Sequence, residues 1–256
     1  MSEKNLIQSV ERAARIFDCF DSLNLELSLS QISEKLNLNI STVHGIINTL
    51  VAHSYIDKDL DNGKYKLGIK FLLKGNIVSE SLDFKKIGHP YLIDLTKKYN
   101  ETTHLYSYRN GEIYCIDKIE SPHTYLIMSS KAGGSLPMHA AASGKAILAN
   151  LSSDQLDRYL NGYKFIPYTN KTIINRQQLI EDLRKTKNQG FGIEDEEIEL
   201  GAYSISVAIM DVKNRVLGTI SIVGPTIRMK EKEQEIFVDL LAAGNSISNS
   251  FGYFKK

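Results

Sequence analysis

The acidic run EDEE at residues 194–197 is the longest run of like charge in this 256-residue chain. Neighbouring carboxylates can act as general acids and bases when their environments separate their pKa values. A solvated acidic loop is the other interpretation, and we expect it for at least two of the four residues. An acid could also join His104, His123 and His139 in a metal site, but their spacing matches no metal motif, so no metal is predicted.

The segment HAAASGK, residues 139–145, has the composition of a loop that opens a helix. Backbone N–H groups at a helix start, together with the positive end of the helix dipole, favour a small anion. The segment is no P-loop, because His139 stands where glycine is required and Ala146 replaces the required Ser or Thr. We therefore exclude nucleotide hydrolysis. His139 could instead brace its own loop.

An enzyme is the alternative function for these residues. Glu194 or Glu196 would then act as a base and His139 as an acid. No nucleophile and base lie at close spacing in the sequence, as covalent catalysis would require. We therefore predict no enzyme, no catalytic residue and no cofactor.

A third candidate site is the segment NISTVHGIINTL, residues 39–50. Its apolar residues recur at three- and four-residue spacing and share one face of a helix. The opposite face contains no Lys or Arg. It carries Ser41, Gly45 and Asn48, with Thr42 and His44 at its borders. Side chains of this kind can contact bases or phosphates without a net charge.

This segment is the last of three predicted helices. The first covers residues 5–20, and the second starts at Ser30 with Glu34 in its first turn. Residues 37–39 then form a tight turn, because Asn tolerates a left-handed backbone. Two short helices joined in this way form a helix-turn-helix, whose second helix enters the DNA major groove.

A predicted hairpin follows these helices. Its strands cover residues 55–58 and 64–67, and Asp-Asn-Gly at 61–63 is a strong turn signal. A helix-turn-helix followed by a hairpin is a winged helix, in which the wing lies beside the DNA backbone. The wing cations that we expect near phosphates are Lys58, Lys64 and Lys66.

The charge of this region is balanced, since the first 75 residues hold nine Lys and Arg and nine acids. The net charge of the whole chain is only +1. Because this balance leaves no electrostatic footprint for nucleic acid, DNA binding would depend on local geometry and on dimerisation. A helical unit that serves only protein contacts is the alternative.

The rest of the chain alternates helical and strand patterns, which predicts an α+β sheet. We expect a winged-helix domain at 1–68, a linker helix at 69–88, punctuated at 88–90, and a second domain at 89–256.

Cys19 and Cys115 are predicted to be buried free thiols. No signal peptide or membrane span is predicted, so we expect a cytoplasmic protein without membrane contact. The predicted strands are 103–108, 113–119, 125–130, 203–210 and 216–223, and the predicted helices are 91–99, 143–150, 153–160, 176–188 and 231–251.

Four segments of the chain resemble, in order, the motifs of one family, the IclR-family transcriptional regulators. The DNA-binding domain of that family resembles the segment SLSQISEKLNLNISTVHGIINTLVAHSYIDKD followed by KYKLGIKFLLKG. Its effector domain resembles the segments GGSLPMHAAASGKAILA, GFGIEDEEIELGAYSISVAIMD and VLGTISIVGPTIRM. The resemblance implies a winged helix-turn-helix joined to a GAF-like α+β effector domain, in dimers that often pair into tetramers.

The resemblance also implies an effector pocket. Carried over position by position, its residues are Ala142, Ser143, Glu194, Ser204 and Ser221. The family often has Asp at position 194, Cys at 204 and a second Ser at 223, where this chain has Glu, Ser and Val. A small carboxylate or a sugar acid is the effector that we expect, and a different one from that of the best-known members.

The recognition helix departs from the family pattern, which has Arg where this chain has Gly45. Arg supplies the commonest specific contact to guanine. Glycine could allow a closer approach to DNA, the operator could be A·T-rich and read through its shape, or readout could shift to Ser41, Thr42, His44 and Asn48. We favour the last of these. The expected function is an effector-controlled repressor of a double-stranded DNA operator. A regulator that has lost DNA binding is the alternative.

Overall fold

The computed structural model describes residues 6–21, 23–80, 83–121 and 136–253. The chain divides into two compact units, Met1–Ser81 and Leu82–Lys256. The division falls inside the segment 69–88, to which the sequence assigns a linker helix. None of the helices in the described ranges is both long enough and apolar enough to cross a membrane. The predicted strand at 125–130 and His123 lie outside the described residues.

The first unit is a winged helix-turn-helix followed by a further helix. The strands of its wing pair antiparallel, and Leu27 adds an isolated bridge to Tyr65. The elements are α1 (Gln8–Phe17), α2 (Leu29–Leu36), α3 (Ile40–Ala52), β1 (Ile56–Lys58), β2 (Tyr65–Leu67) and α4 (Lys70–Glu80).

Local hydrogen bonds set the start and end of α2. Ser28, and not Ser30, is the N-cap, because its hydroxyl accepts from Gln31 N while the Gln31 side chain accepts from Ser28 N. This capping box needs a Gln or Glu three residues after the cap, and only Ser28 meets that spacing. Asn37 ends α2 with a left-handed backbone, φ 51°, as the sequence predicts for this turn.

The core of the first unit explains why α3 faces outward with its polar side. Ile16 of α1, Ile32 of α2 and Val43 and Ile47 of α3 are fully buried together with Ile56 of the wing. Burial of these branched side chains stabilises the unit by roughly 1.5–3 kcal/mol each. The face of α3 opposite Val43 and Ile47 is therefore turned towards solvent.

The second unit is a five-stranded antiparallel sheet with helices on both faces. The strand order is β4-β3-β7-β6-β5. The strands are β3 (Thr102–Arg109), β4 (Glu112–Ile119), β5 (Gly192–Asp195), β6 (Ala202–Met210) and β7 (Val216–Pro225). The helices are α5 (Asp83–Tyr99), α6 (Ala142–Leu148), α7 (Ser153–Leu160), α8 (Arg176–Gln189), α9 (Thr226–Glu231) and α10 (Glu233–Ser250).

The two faces of this sheet differ in polarity. Ile220 and Ile222 of β7 join the apolar core beneath α5 and α10. Ser221 lies between them and points to the opposite face, because side chains alternate along a strand. There it is paired with Ser206 of β6 and His104 of β3. A row of polar side chains thus lies beneath α6.

Three elements of the second unit differ from the sequence predictions. The expected break at 88–90 is absent, since α5 continues through Pro90. Burial of Leu92, Leu95 and Tyr99 outweighs the one backbone hydrogen bond that proline removes. The acidic run begins inside β5 and is not simply a loop. The short helix α9 was not predicted.

Candidate functional site

The solvent-facing side of α3 carries most of the residues predicted to contact DNA. Ser41, His44, Gly45 and Asn48 are exposed, whereas Thr42 is half-buried. Thr49 is also exposed on this side, and its hydroxyl donates to Gly45 O at 3.1 Å. The sequence prediction missed Thr49, although it follows Ser41 by eight residues and therefore lies near the same face.

Gly45 is not required by packing within the first unit. A Cβ atom added at this position would meet no other atom within 4 Å. A larger side chain would therefore project into solvent from the middle of the exposed face. Nothing in the structure of this unit explains why glycine occupies the position.

The three wing lysines are all exposed, but they do not share one face of the hairpin. Lys58 is paired with Tyr65, while Lys66 is paired with Asp57. Paired residues lie on the same side of a ladder and successive residues alternate, so Lys58 and Lys66 point to opposite sides. Lys58 Nζ lies 5.6 Å from the centroid of the Tyr65 ring.

The second unit contains a cavity on the polar face of its sheet, beneath the start of α6. It is lined by all five residues to which the family resemblance assigns the effector, namely Ala142, Ser143, Glu194, Ser204 and Ser221. Val223 also lines it, as do His104 and Tyr106. The space open to water-sized groups is about 70 Å³. Residues that are widely separated in the sequence thus meet around one space.

Two close backbone approaches form the walls of this cavity. A Cβ atom on Gly144 of α6 would lie 2.3 Å from Met138 Cα, and a Cβ atom on Gly192 of β5 would lie 2.3 Å from Ala142 O. Only glycine allows these contacts without a shift of backbone. They bring the start of α6 against both the preceding loop and β5.

Glu194 is the buried acid of the cavity, with 2% of its surface exposed. Its Oε1 atom accepts from Glu197 N at 2.9 Å and from Ile198 N at 3.2 Å. Its Oε2 atom accepts from the Ser204 hydroxyl at 3.2 Å. Burial raises the pKa of the Glu194 carboxyl to about 7, although these three hydrogen bonds oppose the rise.

Two hydrogen bonds anchor Ser143, which lines the cavity, to the sheet through Ser206, which does not line it. The Ser206 hydroxyl donates to Ile220 O at 3.2 Å, and Ser143 Oγ lies 3.0 Å from Ser206 Oγ. A hydroxyl has one hydrogen, which Ser206 gives to the carbonyl, so Ser143 is the donor in the second bond. The sequence prediction missed Ser206. Its position two residues after Ser204, on the same strand face, was the available signal.

His104 and Tyr106 add aromatic surface to the cavity, stacked with ring centroids 5.5 Å apart. Burial lowers the pKa of His104 to about 3, with a smaller effect from Lys118, so its imidazole is neutral near pH 7. From the sequence, the hypothesis for His104 was a role as a metal ligand. Among the residues that the structure describes, no group of three His, Cys, Asp or Glu side chains could hold a metal.

The acidic run is anchored on both sides and is only partly exposed to solvent. Glu194 and Glu197 are buried, and Glu197 forms an ion pair with Lys145 of α6. Asp195 and Glu196 are half-exposed, and both pair with Lys171. Two of the four acids are thus partly exposed to solvent, as expected for at least two of them, and the other two are buried.

His139 braces its loop and lies apart from the cavity of Glu194. Its Nε2–H donates to Ile166 O at 3.1 Å, and Nδ1 lies 2.9 Å from the Tyr163 hydroxyl oxygen. It lines a separate groove with Tyr159 and Tyr168. Glu194 and His139, one of the two acid and base pairs of the enzyme alternative, therefore line different spaces. The cysteines Cys19 and Cys115 are buried and free.

Comparisons with known proteins agree with this geometry. The family model for the IclR helix-turn-helix domain matches residues 9–60, and the model for the C-terminal domain of bacterial IclR transcriptional regulators matches residues 77–249. The HTH-type transcriptional regulator XynR of Escherichia coli is 35% identical over 97% of this chain and 98% of its own. The Transcriptional repressor IclR of the same bacterium is 27% identical over 96% of this chain and 90% of its own.

A solved structure matches this chain along almost its whole length. The IclR protein of Thermotoga maritima superposes with a TM-score of 0.73 at 29% identity, over 96% of this chain and 99% of that one. A winged helix-turn-helix in the same chain as a second unit with a ligand-sized cavity is the composition of a one-component transcriptional regulator. The chain belongs to the IclR family of transcriptional regulators.

Proposed function

We propose that this protein is a cytoplasmic repressor whose affinity for a double-stranded DNA operator is controlled by a small organic acid bound in the cavity of its second unit. The observation that carries the proposal is the meeting of five residues from four separate elements around one buried space. An IclR homologue from Microbacterium hydrocarbonoxydans, 20% identical with a TM-score of 0.80 over 95% of this chain and 99% of its own, was solved with 4-hydroxybenzoate bound. Several relatives are named repressors.

We assign the reading of DNA to the exposed face of α3. Ser41, His44 and Asn48 are the proposed base or phosphate contacts, and Gly45 and Thr42 lie beside them. Lys64 and Lys66 are proposed to contact phosphates on one side of the wing, and Lys58 on the other. Because this set has few cations, one half-site gives modest affinity, and two linked half-sites are needed for tight binding.

The proposed assembly is therefore a homodimer, or a tetramer formed from two dimers. Exposed apolar side chains on α4, within α1 and in the two residues before α1 support it, because exposed apolar surface of this kind marks protein–protein contacts. These side chains are Leu6, Ile7, Val10, Leu72, Leu73 and Ile77. Regulation then requires that the effector binds one arrangement of the assembly more tightly than another.

Fluorescence anisotropy tests the DNA-binding part of this proposal. The full chain is titrated onto the intergenic DNA upstream of its own gene and onto scrambled DNA of equal length, at several salt concentrations. Tighter, sequence-dependent binding to the upstream DNA supports the proposal. Equal, weak and steeply salt-dependent binding to both DNAs contradicts it for this operator and favours the alternative of lost readout.

A further inference from the structure

The charged side chains around the cavity do not by themselves match a simple anion. Glu194 and Glu199 both line it, and none of the described lining residues is Lys or Arg. The His104 imidazole is neutral near pH 7 because of its burial. A bare carboxylate placed against the ionised form of Glu194 would therefore face like charge, which costs free energy.

The hydroxyl groups of Ser143 and Ser204 have already used their hydrogens. Ser204 donates to Glu194 Oε2, and Ser143 donates to Ser206, whose own hydrogen goes to Ile220 O. The lone pairs of Ser143 and Ser204 remain, beside the carboxylate oxygen of Glu194. This edge of the cavity, formed by Ser143, Glu194 and Ser204, is therefore an array of hydrogen-bond acceptors, which we call the acceptor edge.

An acceptor edge is satisfied only by a ligand that brings hydrogen-bond donors. Aliphatic hydroxyl groups supply them without adding charge, and a hydrogen bond to the ionised Glu194 carboxylate is of the stronger, charge-assisted kind. We propose that the acceptor edge selects a small ligand with neighbouring hydroxyl groups, a hydroxy acid or a polyol, over the corresponding unsubstituted acid. This inference rests on the proposed function, since it concerns the ligand of the same cavity.

The size of the cavity limits the ligand that fits without rearrangement. A water molecule needs about 10–15 Å³ of such space, so the 70 Å³ available holds about five to seven non-hydrogen atoms. A three-carbon acid is of this size. Glycerate, lactate and propionate form a matched series on this skeleton, because they carry two, one and no hydroxyl groups beside the same carboxylate.

Calorimetric titration of the full chain with this series is the test. At pH 8, where Glu194 is ionised, we expect glycerate to bind at least about tenfold more tightly than propionate, with lactate between them, as the loss of one charge-assisted hydrogen bond predicts. Glycerol separates polyols from hydroxy acids, and its binding above that of propionate also supports the proposal. Propionate within threefold of glycerate, or no binding of glycerate at millimolar concentration, overturns it.

The variant Glu194→Gln tests the acceptor edge itself. Its amide oxygen can keep the two backbone N–H bonds, while its NH₂ group replaces the acceptor Oε2 with a donor. We expect the preference for glycerate over propionate to fall below threefold, with the melting temperature no lower than that of wild type. The exposed Glu181→Gln variant removes the same charge away from the cavity and should keep the full preference. A preference retained in Glu194→Gln overturns the proposal.

Failure of this inference is distinguishable from failure of the proposed function. If glycerate and propionate bind in the cavity with similar affinity and both change operator affinity, the proposed function stands. Only the selectivity of the acceptor edge is then excluded. Loss of the glycerate preference in Ser204→Ala, which deletes one acceptor, provides an independent second measurement of the edge.

Discussion

The Lys145 Nζ atom lies 3.2 Å from Asp182 Oδ2 and also contacts the Glu197 carboxylate, although only 2% of the Lys145 side chain is exposed. Lys145 therefore stabilises the wall of the cavity. It ties α6, whose first residues line the cavity, to the Glu197 side chain, while Glu197 N holds Glu194 Oε1 at 2.9 Å. Lys145 therefore positions the Glu194 carboxylate through the loop that carries it.

Lys145→Met should lower the free energy of unfolding of the chain by about 3 kcal/mol, because it leaves a buried carboxylate without its partner. Glu197 Oε2 already has no hydrogen-bond partner among the described residues. Urea unfolding followed by circular dichroism measures the change. The double variant Lys145→Met/Glu197→Gln should recover more than half of the loss, since it removes the stranded charge.

The matched control for Lys145 is an ion pair on the surface. Arg176 and Asp157 are paired with side chains that are 48% and 65% exposed, so Arg176→Met should cost less than about 1 kcal/mol. A Lys145→Met variant as stable as Arg176→Met would show that the buried ion pair of Lys145 does not stabilise the cavity wall.

The stability of the second unit should fall as pH rises across the titration of Glu194. The folded pKa is about 7, above the ordinary value of 4.5, so the folded state holds more protons than the unfolded state between these values. Its stabilising contribution is complete below pH 4.5 and is lost as pH rises through 7. Each pH unit in this window changes the free energy of unfolding by at most about 1.4 kcal/mol.

Comparison with Glu194→Gln isolates this effect, because glutamine does not titrate. The free energies of unfolding of the two proteins, measured in urea at pH 5 and pH 8, should diverge by roughly 2–3 kcal/mol in favour of the variant at the higher pH. Parallel pH profiles would mean that Glu194 ionises normally in the folded protein.

Gly45→Ala should stabilise the first unit by about 0.5–1 kcal/mol, because glycine in a helix interior costs that much against alanine. The added Cβ atom meets nothing within 4 Å in this unit. Thermal unfolding measures the gain, and operator affinity should be unchanged if polar side chains do the reading. A more stable variant that binds the operator at least tenfold more weakly would instead show that the α3 backbone lies against DNA at Gly45.

Asn48→Ala and Lys64→Ala should weaken DNA binding in different ways. A base contact from Asn48 predicts a loss of about 1–3 kcal/mol on the operator and little change on scrambled DNA. A phosphate contact from Lys64 predicts losses on both DNAs and a salt dependence reduced by about one unit. Anisotropy titrations at several salt concentrations separate the two. Equal losses on both DNAs from Asn48→Ala would exclude a base-reading role.

The sequence was informative where the determinants of structure are local. The spacing of Val43 and Ile47 predicted α3, and the left-handed Asn37 fits the predicted turn. The predicted start of α2 at Ser30 is two residues late, because the capping box of Ser28 with Gln31 starts the helix earlier. These are features of a single turn, and they can be read from neighbouring residues.

Features that depend on strand pairing could not be predicted in the same way. Ser206 can anchor Ser143 because β6 is paired with β7 in a register that places Ser206 opposite Ser221, on the face of the sheet beneath α6. The burial of Glu194 and Glu197 depends on Lys145 and on backbone N–H groups of a folded loop. The acidic composition alone favours a solvated loop, so tertiary contacts reversed the local preference.

Operator release, compared between wild type and Ser204→Leu, tests directly whether a ligand in this cavity controls DNA binding. The larger apolar side chain fills the cavity beside Glu194, which belongs to the unit that does not contain α3. Anisotropy with a bound operator is followed while glycerate and other small organic acids are added. We expect at least one of these acids to release wild type from the operator, and Ser204→Leu to bind the operator equally tightly without release. The same response in both proteins would contradict control through this cavity.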